Sequence, residues 1–248
     1  MPEQDEATAE QDRPMAEQGD ALRRRLALAL DFDDQVAALR LAEELRPFFG
    51  VAKVGLELYS AAGPESLGAL VEVGYEVFVD LKLHDIPTTV GRAARVLGSL
   101  GASYVTAHAA GGAAMLRSAV EGLAEGAAGA GLPAPRLLAV TVLTSEPLVA
   151  PERLSAALAA AVEAGCGGFV CASPEVEGAK RLAPGLLAVV PGIRPEGAPS
   201  HDQARAATAA RALAAGADLL VVGRAVTAAA DPSAAAAALS AEVAGAIR

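Results

Sequence analysis

The chain has 248 residues, of which 53% are hydrophobic and 20% charged, with 25 glycines and 15 prolines. That composition belongs to a globular protein with a large core and excludes wholesale disorder and collagen, while the length admits either two small domains or one α/β barrel. The formal net charge is −10, but the first twenty residues alone hold seven acids against one base, so the rest of the chain carries only −4. A body so near neutral offers no general basic face to nucleic acid or anionic lipid. Any phosphate it binds must be held by a few placed residues and backbone amides.

The acidic N-terminus lacks the basic start and apolar core of a secretory signal, and no apolar run reaches the roughly 18 residues of a membrane span. The sequence therefore reads as soluble and cytoplasmic. Residues 1–22 are polar and aperiodic and read as a disordered tail, leaving 23–248 as one domain. Along that domain, Leu-rich or β-branched runs recur about every 31 residues, the length of a strand, a helix and two loops. The predicted strands are Leu26–Leu30, Val51–Gly55, Val77–Lys82, Tyr104–His108, Leu137–Leu143, Gly168–Cys171, Leu187–Val190 and Leu219–Val222. Between them lie Ala-rich stretches with helical spacing, such as Val36, Leu39, Leu41 and Leu45, then Val90, Ala94, Val96 and Leu97. The Ala- and Gly-rich stretch from Glu121 to Pro135 reads as a helix end plus loop. Gly165 and Gly216 stand where a helix ends before the next strand, as an αβ loop requires.

Eight strands alternating with helices predict an α/β fold of the (β/α)8 TIM-barrel type. The alternative, a doubly wound open sheet, usually carries a Gly-rich phosphate loop after its first strand. Here that strand runs into Asp31-Phe32-Asp33-Asp34 instead. Cys166 and Cys171 lie five residues apart, about 16 Å in an extended strand, too far for a disulfide, and read as small core residues.

Barrels place their chemistry at the C-terminal ends of the strands, and side chains two apart on a strand share a face. Ala27, Ala29 and Asp31 form the small face of the first strand, which points to the crowded axis and brings Asp31 out at the top. Val51, Lys53 and Gly55 share a face of the second strand, and Phe78, Asp80 and Lys82 share one of the third. Lys53, Asp80 and Lys82 thus gather at one end of the barrel, within reach of Asp31. They form either a buried ion-pair network stapling the strands or a site that handles charge; buried ion pairs are a poor stability device.

The third segment continues as Asp80-Leu-Lys82-Leu-His84-Asp85-Ile-Pro87-Thr88-Thr89. Here the sequence resembles the orotidine 5′-phosphate decarboxylases, with the Asp-x-Lys-x-x-Asp core at Asp80, Lys82 and Asp85. The resemblance extends to Leu28–Phe32, Lys53–Glu57, Thr106–Gly112, Val142–Ser145, Pro191–Pro195, Asp202-Gln203 and Val222-Gly223-Arg224. The core motif alone is shared with sugar-phosphate decarboxylases and aldolases that use Mg²⁺, and these form the leading alternative. A non-catalytic nucleotide-binding barrel is another. The sequence departs from the family at Ala209 and Ala225, where Pro is frequent.

The resemblance implies decarboxylation of orotidine 5′-phosphate to UMP, the last step of UMP synthesis, with no metal and no cofactor. It implies Lys82 as the cation and proton donor beside C6, Asp80 beside the departing carboxylate, Lys53 bridging carboxylates and ribose, and Asp31 accepting from a ribose hydroxyl. Asp85 and Thr88 would serve the neighbouring subunit's site, making the protein a homodimer with shared sites. Arg194, Arg224, Gln203 and the Gly223 amide would hold phosphate, and Thr144 and Ser145 would meet the pyrimidine edge. His84 and His108 are expected to make structural hydrogen bonds, and His201 to lie on a loop surface.

Overall fold

A computed structural model describes residues 19–142, 150–195 and 207–247. Eight parallel strands close into a barrel in sequential order: β1 (Leu26–Leu30), β2 (Val51–Val54), β3 (Glu76–Leu83), β4 (Ala102–His108), β5 (Arg136–Val140), β6 (Gly168–Val170), β7 (Leu187–Pro191) and β8 (Leu219–Val222). Closure leaves no sheet edge. β1 pairs β8 through Leu26↔Leu220 and β2 through Ala29↔Lys53.

The period-2 expectation holds in β1. Leu26, Leu28 and Leu30 pack outward against the helices, while Ala27 and Ala29 join Val51, Phe78, Leu138, Val189, Leu219 and Val221 in a separate cluster on the barrel axis. Small residues on β1 leave axial room for Phe78, whose ring meets Tyr104 edge-on at 6.1 Å.

After the first strand the α-helices among the described residues are α1 (Gln35–Leu45), α2 (Leu56–Ala62), α3 (Glu65–Val73), α4 (Pro87–Ser99), α5 (Gly112–Ala130), α6 (Pro151–Glu163), α7 (Val176–Leu182), α8 (Ala209–Ala214), α9 (Arg224–Thr227) and α10 (Pro232–Ile247). Two units depart from one helix per strand. Gly63-Pro64 splits the segment after β2 into α2 and α3, and a short α9 precedes α10. Asp34 accepts a hydrogen bond from the Val36 amide at 2.8 Å and so caps α1, which separates its role from that of Asp31.

Helical spacing alone does not say which apolar residues face inward. Val36 and Val96 are 65% and 51% exposed, and the core-facing residues of α1 and α4 are instead Ala38, Ala42, Leu45, Val90, Ala94, Leu97 and Gly98. Helices α4 and α5 lie so close that a Cβ on Gly122 or Gly126 would meet the carbonyl oxygens of Gly91 or Arg95. Bulk at those positions would push the helices apart, so small residues occupy the contact between α4 and α5.

Of the stretch read as a tail, residues 19–22 are helical and Leu22 packs against the core. Both cysteines are buried and neither is in a disulfide, and burial pushes the Cys166 thiol up to about 12. Among the described residues, no helix is long and apolar enough to cross a membrane.

Candidate active site

The C-terminal ends of the strands surround a cavity of about 310 Å³. Its walls carry three kinds of surface. Asp31, Lys53, Asp80 and Lys82 rise from β1 to β3; Phe78, Val140, Val170 and Val221 form an apolar floor; Arg194, Gly223 and Arg224 close the side nearest β7 and β8.

The four charged groups alternate in sign. Lys53 Nζ lies 2.9 Å from Asp31 Oδ1 and 3.9 Å from Asp80 Oδ2, and Lys82 Nζ lies 2.9 Å from the same Asp80 oxygen. Lys53 is buried at 7% exposure, which is tolerable only because two carboxylates face it. Gly55 makes room for this pair. A Cβ there would stand 2.9 Å from Asp31 Oδ1 and 3.0 Å from Lys53 Nζ, so any side chain would displace both.

Lys82 reaches Asp80 by a route that alternation does not describe. Val79 pairs with Val105 and Leu83 with Ala107, so β3 spends four residues where β4 spends two. The excess is absorbed at Lys82, whose φ of 52° is the one left-handed value at a non-glycine position among the described residues. Such a backbone is held against about 1–2 kcal/mol of steric penalty. Thr106, the β4 residue opposite the excursion, is fully buried: its Oγ1 accepts from the Lys82 amide and donates to Asp80 Oδ1, each at 2.9 Å. The sequence reading quoted Thr106 within a motif and gave it no part. No composition or spacing signal marks a residue whose task arises from a register shift.

Asp85 and Thr88 are not brought into this cavity. Both are exposed. Asp85 Oδ1 accepts from the Ile86 amide at 2.6 Å, Ile86 is 66% exposed, and Thr88 borders a separate depression between α4 and α5 with Arg92, Ser118 and Glu121. His84 and His108 face each other with ring centroids 5.3 Å apart. Burial, and then the facing His84 and the Lys82 ammonium, lower the His108 imidazole from its ordinary value, with Asp80 pulling the other way.

On the opposite wall, Gly192 with φ 79° turns the chain after β7 so that Ile193 bridges Ala207 and the Arg194 amide donates to the Ala207 carbonyl at 2.9 Å. Arg194 is thereby buried, at 8% exposure, and its Nε has no hydrogen-bond partner among the described residues. Arg23 Nε and Arg46 Nη1 are likewise buried without a partner, but of the three only Arg194 lines the cavity. Thr144, Ser145, His201 and Gln203 lie outside the described residues.

A family model described as orotidine 5′-phosphate decarboxylase / HUMPS family matches residues 24–239. Orotidine 5′-phosphate decarboxylase from Anaeromyxobacter sp. (strain K) is 49% identical over 228 residues, covering 88% of this chain and 97% of the relative. The enzyme of that name from Moorella thermoacetica is 43% identical, with coverages of 88% and 92%. Among solved structures, orotidine 5′-phosphate decarboxylase from Lactobacillus acidophilus aligns at a TM-score of 0.73 and 36% identity, covering 89% of this chain and 99% of the other.

Proposed function

The chain belongs to the orotidine 5′-phosphate decarboxylase / HUMPS family, and we propose that it converts orotidine 5′-phosphate to UMP and CO2, the last step of UMP biosynthesis, without metal or cofactor. The observation that carries this reading is the pairing, within one cavity, of an alternating Asp31–Lys53–Asp80–Lys82 array with the buried Arg194 and with Arg224 on the far wall. The array matches a substrate that loses a carboxylate, and the arginine wall matches its phosphate.

In the reaction, the bond between C6 and the carboxylate breaks heterolytically. CO2 leaves, and the electron pair stays on C6 in the ring plane, where no π system spreads it. Lys82 stabilises that charge and transfers a proton from Nζ to C6, then regains one from solvent. Asp80 holds Lys82 through its Oδ2 and stands beside the departing carboxylate. Lys53 links Asp80 to Asp31, which accepts from a ribose hydroxyl. Arg194, Arg224, the Gly223 amide and Gln203 hold the phosphate, and Thr144 and Ser145 meet the pyrimidine edge. Most of the binding energy is thus placed away from the reacting carbon.

The protein acts as a cytoplasmic homodimer, with no nucleic-acid or membrane partner. Asp85 and Thr88 point away from their own cavity beside the exposed Ile86, which supports their serving the neighbouring subunit's site. Residues 23–248 make up a single barrel domain. Loss of orotidylate absorbance on adding purified protein, unchanged by EDTA, tests the reading. No turnover, or turnover only with added Mg²⁺, overturns it in favour of the sugar-phosphate branch of the family.

A further inference from the structure

Thr106 stands where two requirements of the site meet. The four-against-two register of β3 and β4 leaves Thr106 alone opposite Asp80, Leu81 and Lys82, where the Lys82 amide needs an acceptor. The hydroxyl supplies that acceptor at 2.9 Å. With its single proton it donates to Asp80 Oδ1 at 2.9 Å, while Lys82 Nζ and Lys53 Nζ both lie against the other oxygen, Oδ2. A hydroxyl has one donor and two acceptor positions, so one Oγ1 can serve both neighbours at once. The residue is fully buried, so water cannot replace it.

We propose that Thr106 is a positioning residue for the reaction. Its hydroxyl fixes the left-handed backbone at Lys82 and the rotation of the Asp80 carboxylate together, and so sets the height of the Lys82 ammonium over the substrate carbon. This rests on the decarboxylase reading. Thr106 touches no reacting atom; it acts through the two residues that do.

Thr106→Val keeps the shape and removes both hydrogen bonds. A misplacement on the order of 1 Å costs about a hundredfold in rate, so kcat is expected to fall by about 10- to 100-fold while KM and the affinity for UMP change by less than threefold. Thr106→Ser, which restores the hydroxyl, is expected to keep at least a third of wild-type kcat. Should the valine variant fail to fold, Thr106→Ala removes the hydroxyl without a second branch and is expected to show the same split. A Val or Ala variant with kcat within twofold of wild type overturns the proposal, as does a Ser variant as slow as the Val variant. Wild-type turnover is measured first. Its absence overturns the decarboxylase reading and this inference with it, whereas an active wild type beside unaffected variants overturns this inference alone.

Discussion

The two ends of the barrel both carry paired charge, and they treat it differently. At the N-terminal end, Lys180 Nζ lies 2.6 Å from Asp218 Oδ2 and also donates to the Leu186 carbonyl at 2.9 Å, while Asp218 accepts from the Ala188 amide at 2.8 Å. Each charge is tied to the start of β7 or β8. Nearby, Tyr104 donates to Glu76 at 3.1 Å, and burial, with the Glu76 charge adding to it, pushes the phenol up to about 12. At the C-terminal end, Asp31, Lys53, Asp80 and Lys82 bond mainly to one another and to Thr106, and they line open space. Charges at one end are anchored to backbone and stabilise the fold. Charges at the other are anchored to each other, one on strained backbone, and face the cavity.

The largest expected effect is at Lys82. Lys82→Ala should lower kcat by at least about 10⁴-fold, because it removes both a positioned acid and the charge that meets the carbanion. UMP binding should survive, and Tm should move by only a few degrees. Retention of a tenth of wild-type kcat would place Lys82 with the structural charges.

Next comes the shared site. Asp85→Ala and Lys82→Ala homodimers should each be nearly inactive. After subunit exchange, an equal mixture is about half heterodimer, and one site of each heterodimer carries neither lesion. Activity should therefore return to roughly a quarter of wild type. A mixture that stays inactive despite demonstrated exchange would move Asp85 into its own subunit's site.

Arg194→Ala should reduce kcat/KM for orotidine 5′-phosphate by about a hundredfold, yet leave the slow reaction of the unphosphorylated nucleoside nearly unchanged, since remote binding energy is used at the reacting centre only when the phosphate is present. Equal losses on both substrates would make the buried guanidinium a packing element. At the other end the pattern should invert. Asp218→Ala leaves the Lys180 ammonium and the Ala188 amide short of a partner, costing about 1–3 kcal/mol. Tm should fall by about 2–4 °C per kcal/mol with kcat unaltered.

How far the sequence reaches follows the same division. All eight strands are legible because Val and Leu runs of strand length are interrupted by Ala-rich helices. The array is legible because alternation in β1 and β2 is undisturbed. Inward helix faces are not, because residue size stops reporting burial where Gly91, Gly98, Gly122 and Gly126 let α4 and α5 pack backbone to backbone. Lys82 was placed correctly for an incomplete reason. Its side chain joins Asp80 through a left-handed turn created by pairing with β4. Such a turn depends on a partner strand some twenty residues away, and local pattern carries no trace of it.

The smallest expected effect concerns pH, and it also separates the two ends. His84 and His108 both sit at the catalytic end, and no other histidine is among the described residues. Because the folded protein lowers the His108 imidazole from its ordinary value, the unfolded chain binds more protons in the window between the folded value and about 6.5. The stability held by neutral His108 is therefore full above that window, declines as the pH falls through it, and stops declining below the folded value. The informative quantity is a difference between proteins. His108→Gln should lower Tm less than wild type between pH 7.5 and 5, while Asp218→Ala should leave that early decline in place. If His108→Gln tracks wild type across the range, the imidazole is not the group that makes the catalytic end the pH-sensitive one.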